Sequence, residues 1–159
     1  EMSDLNARIY QIIWEIDNYT NNNNPSGNSV TQRFEFWKAA FGIIKKDPLF
    51  GVGTGDPKNA FEKEYEETHS SLEPEWRLRS HNQFLAITVA LGIVGLICFL
   101  FFILYPFASA IKNKNYLYIA FFIIAFLSML TEDTLETQAG VSFYVFFHCL
   151  FLFCKPEKE

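Results

Sequence analysis

One histidine, a few arginines and a short run of carboxylates carry the chemistry this sequence can do. His81 follows Arg77 and Arg79 and precedes Asn82, at the threshold of a long apolar run. An imidazole exchanges protons near neutral pH, so at a membrane surface it can take the proton of a substrate hydroxyl. A histidine capping an interfacial helix is the plainer reading of the same position. Arg33 lies four residues before Trp37. Its planar guanidinium suits bidentate binding of phosphate oxygens, and the plainer reading pairs it with Glu35 or Glu62 at the surface. Glu132, Asp133 and Glu136 sit together between two apolar runs; paired carboxylates suit acid–base work, and short links outside the cytoplasm also often contain them.

Other residues invite chemistry less. The stretch Gly51-Val-Gly-Thr-Gly-Asp56 lacks the Gly-Lys-Ser/Thr ending of a phosphate loop and reads as a structural turn that can bring backbone N–H groups near a substrate. His69 reads as a surface residue on an acidic helix, and His148, inside an apolar run, needs a buried partner. Cys98, Cys149 and Cys154 all lie in apolar runs without metal-ligand spacing and read as small buried hydrophobes. Neither a metal nor a cofactor is expected. Asn18-Tyr19-Thr20 fits a glycosylation sequon that is common by chance.

The elements that must position these residues divide the chain in two. Half of the 159 residues are hydrophobic and 18 are Phe, yet residues 1–80 are mixed and polar while long apolar runs dominate from residue 82 on. A net charge of -5 gives no basic face for nucleic acid. The sequence therefore predicts an all-α membrane protein: an extracytoplasmic helical loop region over 1–80, a transmembrane region over 81–154 and a cytoplasmic tail over 155–159. Three spans are expected, at about 83–105, 116–130 and 139–154. The first is 23 residues without a charge, enough to cross a bilayer core, and ends before Pro106. Gly92 and Gly95 in it are expected to let helices pack closely. The second and third are short, and a re-entrant hairpin is the alternative for them. Lys112, Lys114, Lys155 and Lys158 fall on one side of this arrangement, the cytoplasmic side by the positive-inside rule.

Within the loop region, Leu5, Ile9, Ile12, Ile13 and Ile16 recur at helical spacing. Phe34, Trp37, Phe41 and Ile44 make another apolar stripe, spaced three and four, on a second helix that should stop before Pro48. Asp56 and Pro57 suit the N-cap and first turn of a third, running to about Glu67. No signal peptide is evident at the start, and the chain reads as the C-terminal part of a protein with further spans upstream.

In order and spacing these features resemble the O-antigen ligases and polymerases of the bacterial envelope. The family's large periplasmic loop ends in His, then Asn, Ser or Gln, nine residues, Gly, two residues, and Gly, Thr or Tyr; His81-Asn82, Gly92 and Gly95 fit without a gap. Upstream, Arg33, Trp37 and Pro48-Leu-Phe-Gly-Val-Gly53 match a further family pattern, and Glu132-Asp133 its acidic link. The resemblance covers roughly residues 29–153 and departs in extent, since the family has about a dozen spans.

It implies a GT-C-like, metal-independent glycosyltransferase in the bacterial inner membrane, multi-pass, with its active site on the periplasmic face. The donor would be a glycan linked through diphosphate to a polyprenyl lipid, and the acceptor a lipid A-core, another glycan or a protein hydroxyl. These acceptors correspond to an O-antigen ligase, a polymerase and an O-oligosaccharyltransferase. Arg33 would hold the diphosphate and His81 would act on the acceptor hydroxyl, with Arg77, Arg79, Asn82, Glu132 and Asp133 binding substrate. A rival class is a membrane transporter sharing this domain, which would want more polar side chains within the spans than Thr88, Ser128 and His148.

Overall fold

The computed structural model describes residues 2–22 and 24–153, and these form helices joined by turns and loops. Six α-helices follow in chain order: α1 (Met2–Asn22), α2 (Ser29–Lys46), α3 (Pro57–Glu67), α4 (Gln83–Lys112), α5 (Tyr116–Thr131) and α6 (Gln138–Phe153). Two 3-10 turns, Pro74–Trp76 and Thr134–Glu136, lie in the links before α4 and before α6. Cys154 and the lysines of the expected tail, Lys155 and Lys158, lie outside the described residues.

The polar half packs through α2. Its buried face is Phe36, Ala39, Ala40 and Ile43, closed by Phe61 and Tyr65 of α3, by Leu72, and by Val89 of α4. That face is rotated from the expected stripe: Trp37 and Ile44 are half-buried, whereas Phe34 and Phe41 are exposed. Polar partners explain the rotation. Glu35, 4% exposed, accepts hydrogen bonds from Tyr19 Oη at 2.6 Å and Ser70 Oγ at 3.2 Å, so its carboxylate is buried with its needs met. The same bond, with burial and the charge of Glu35, pushes the Tyr19 hydroxyl up to about 12 and keeps it a donor. On α1, Glu15 is buried and accepts from Val30 N–H, while the regularly spaced Leu5, Ile9, Ile12, Ile13 and Ile16 face outward.

The apolar half is a helical hairpin and a third helix. Phe107 of α4 stacks on Phe122 of α5 at 4.2 Å, and Tyr118 of α5 contributes to the same cluster. His148 has the partner its position requires, Tyr118 Oη at 3.0 Å from Nδ1. Cys98 and Cys149 are exposed on the helix surfaces rather than buried as expected; a small side chain on an outward-facing turn of an apolar helix costs nothing in a nonpolar surround. Among the described residues α4 alone is long and apolar enough to cross a membrane, and α5 and α6 are shorter apolar helices.

Two corrections concern α4. It does not end before Pro106 but runs through it to Lys112. Nor is it continuous: at Gly92 the backbone takes φ 66°, ψ -168°, a region open in practice to glycine alone, and the helix breaks. In an unbroken helix Ile93 N–H would bond to Val89 O, and Val94 N–H to Ala90 O. Here the loop of residues 48–53 supplies all four partners. Ile93 N–H donates to Pro48 O at 2.9 Å and Val94 N–H to Leu49 O at 3.3 Å. Val52 N–H donates to Val89 O and Gly53 N–H to Ala90 O, both at 2.9 Å. Broken backbone within an apolar helix is tolerable only where such partners replace the lost bonds. The glycines are required sterically as well: a Cβ on Gly51 would fall 2.6 Å from Ala90 C and 2.7 Å from Gly92 N. Gly92 therefore serves loop insertion, not the helix–helix packing expected of it.

Candidate functional site

The site forms where the chain enters α4. Its turn is fixed from several directions. Trp37 Nε1 donates to Ser80 O at 3.1 Å, and Tyr65 Oη donates to Leu78 O at 2.7 Å. Burial pushes the Tyr65 hydroxyl well up, so it remains a donor. Ser80 is fully buried, and His81 adopts a positive φ of 46° that turns its ring back over Phe36, 5.6 Å between centroids. Asn82 then caps α4, its Oδ1 accepting from Leu85 N–H at 3.0 Å.

The acidic link between α5 and α6 is brought to this turn by two amides. Asn82 Nδ2 donates to Leu130 O at 2.9 Å, and buried Gln83 accepts Leu135 N–H at 2.6 Å. Together they bracket Glu132 and Asp133, one bond on each side. Asn82, read as a substrate contact, thus commits both ends of its amide to backbone.

Glu132 is the hub. Its Oε2 lies 3.0 Å from His81 Nδ1, and its Oε1 lies 3.3 Å from Arg33 Nη2. An ionised carboxylate only accepts, so facing one His81 Nδ1 is the donor, and in the neutral imidazole Nε2 then has the lone pair a base needs. Arg33 therefore pairs with Glu132, across 99 residues of sequence, and not with Glu35 or Glu62. Asp133 and Glu136 form a second arm: Arg79 reaches Asp133 Oδ2 at 3.4 Å and Glu136 Oε2 at 3.2 Å. Arg77 Nε donates to Leu72 O at 3.1 Å, bracing the loop, while its side chain lines the groove beside His81.

The arrangement can do three things chemically. It presents an imidazole nitrogen with its proton fixed on the far side, a guanidinium beside it for developing negative charge, and a groove of about 560 Å³ that reaches His81 from the α3 side. The donor atoms of His81, Glu132 and Asp133 also lie within 4.8 Å of one another, a set that could hold a cation. Both carboxylates already face guanidinium groups, which supply there the positive charge a metal would bring.

Of the residues singled out from sequence, Arg33, Arg79, His81, Asn82, Glu132 and Asp133 converge. His69 does not: it lies beyond the end of α3, not on it, in a positive-φ turn. Thr54 and Gly55 of the groove lie in the turn read from sequence as able to approach a substrate; sequence reading missed Phe36, Tyr65 and Gln83 as positioning residues, and Lys58 of the groove. For Gln83 the signal was present, a polar residue opening an apolar helix; for the others none was.

An uncharacterized protein of Haemophilus influenzae is 33% identical over 102 residues, 64% of this chain and 25% of that protein, so the chain spans about a quarter of its relative. No solved structure matches the chain. Residues 3–100, which hold Arg33, the loop of 48–53, His81 and the break at Gly92, match the O-antigen ligase family, and by that match over more than half its length the chain belongs to the O-antigen ligase family.

Proposed function

We propose that this chain carries the catalytic core of a membrane glycosyltransferase that moves a glycan from a polyprenyl-diphosphate lipid to a hydroxyl acceptor such as lipid A-core. The observation that supports it most is the Arg33–Glu132–His81 series at the mouth of an apolar helix. His81 Nε2 takes the proton of the acceptor hydroxyl as that oxygen forms its bond to the anomeric carbon. The bond from that carbon to the diphosphate oxygen breaks, and the polyprenyl diphosphate leaves as an anion. Arg33 stabilises the charge gathering on it. Glu132 holds the histidine tautomer and balances the imidazolium. No step calls for a metal. In the same reading the site faces the periplasm, with Lys112 and Lys114 in the cytoplasm, and a glycan or protein acceptor would make the enzyme a polymerase or an O-oligosaccharyltransferase.

The test uses the purified full-length enzyme with a lipid-linked oligosaccharide. His81→Ala should lose roughly 10²–10⁴-fold in transfer rate, the usual scale for a general base. Arg33→Ala should lose most activity, and Arg33→Lys should retain part, since Lys keeps the charge but not the planar fork. Transfer by His81→Ala within a few-fold of wild type would reduce His81 to a turn residue.

A further inference from the structure

We infer that the groove between α3 and the acidic link is the acceptor's path to His81, separate from the place of the lipid diphosphate; this rests on the reading of His81 as base. His81 lines the groove, whereas Arg33 does not. Displacement at a carbon brings the attacking oxygen in opposite the leaving oxygen. The hydroxyl that gives its proton to His81 and the diphosphate held by Arg33 therefore approach from different sides.

The lining chemistry agrees. Lys58, Arg77 and Arg79 are matched by Glu62, Asp133 and Glu136, so the charged side chains cancel. A diphosphate would favour a net positive wall. A neutral, hydroxyl-rich glycan is suited by alternating donors and acceptors, because carboxylates accept from its hydroxyls and cationic groups donate to them. The groove's volume, about 560 Å³, falls in the range of ligand clefts, roughly 300–1,000 Å³. Thr54 and Gly55 are part of its lining. A Cβ on Gly55 would meet nothing within 4 Å, so the chain leaves this wall bare where it has room to fill it.

That bare position is the test. In the full-length enzyme, Gly55→Trp adds an indole to this wall, and Thr54→Trp adds one at the neighbouring residue. The acceptor is whichever of lipid A-core or a second lipid-linked oligosaccharide the wild type glycosylates. Both Trp variants should raise the acceptor KM about tenfold or more, with the Kd for lipid-linked oligosaccharide within twofold of wild type. A wild-type acceptor KM in melting-competent Trp variants would overturn the inference. So would weakened donor binding with acceptor KM unchanged, which would give the groove to the donor. Neither result touches the role of His81: that reading fails separately, if His81→Ala still transfers.

Discussion

Replacing Glu132 with Gln keeps the length of the side chain and removes its charge. In the native site one carboxylate oxygen serves His81 at 3.0 Å and the other serves Arg33 at 3.3 Å. Gln has a single carbonyl oxygen, so it can accept from one of them while its amide N–H₂ faces the other. With its carbonyl toward Nδ1 the amide keeps the base, and its N–H₂ then opposes Arg33; the reverse orientation moves the imidazole proton to Nε2, so the first is the reacting form and carries the energetic cost. A hydrogen bond to a charged group contributes about 1.5–3 kcal/mol. The side chains here are 32% (His81), 36% (Arg33) and 51% (Glu132) exposed, which screens the interaction toward the value of a surface pair, below about 1 kcal/mol. A loss of about 1–2 kcal/mol in transition-state stabilisation follows, or roughly 5–30-fold in rate. Single-turnover transfer at saturating donor reads this directly. The loss should be clearly smaller than that of His81→Ala, because in the proposed mechanism Glu132 positions the base and takes no proton from the acceptor. A Glu132→Gln enzyme within twofold of wild type would refute the relay, and one as dead as His81→Ala would mean that Glu132 itself takes the proton.

Three further outcomes are expected. Trp37→Phe keeps the ring packing but drops the bond to Ser80 O, so stability should fall by about 0.5–1.5 kcal/mol, with a rate loss of a few-fold as the turn at His81 loosens; an unchanged melt would exclude that bond as an anchor. Gly92→Ala cannot keep φ 66°, ψ -168° without about 1–3 kcal/mol of strain, and its Cβ would also strike the backbone of Leu49 and Phe50. The purified protein should melt several degrees lower, while Gly55→Ala, with open space and ordinary φ, should not. Reporter fusions after Lys114 should read cytoplasmic and those near Asn59 and Asp133 periplasmic; a cytoplasmic reading at Asn59 would invert the membrane arrangement.

Much of the scaffold was legible from sequence. Helix periodicity, the stop before Pro48, and the start at Asp56-Pro57 are local properties, and the helices lie at Ser29–Lys46 and Pro57–Glu67. What failed was the α2 face. Hydropathy ranks residue types, and it could not show that Glu35 is buried because Tyr19 and Ser70 satisfy it. The break at Gly92 was invisible for a different reason: both halves of α4 are apolar, and the event is a backbone exchange with residues some forty positions earlier. At the site, the ingredients could be named but not paired. Nothing local distinguishes Glu132 from Glu35 or Glu62 as the partner of Arg33; the amides of Asn82 and Gln83 make that choice.

The exchange at Gly92 also bears on how the protein comes to be made. A segment as apolar as α4, on its own in a bilayer, has every reason to remain one rod, with Ile93 and Val94 bonded within the helix. The native state gives up those two bonds for four to the loop of residues 48–53. That gain exists only after the polar half has folded and come back to the helix. His81 lies two residues before the start of the same half-helix, and the turn at Ser80 is braced by Trp37 from the polar half, so both contacts need that half in place. Docking of the loop thus couples the two halves of the chain: in a copy whose loop has not docked, α4 stays a single rod and its backbone shows no break.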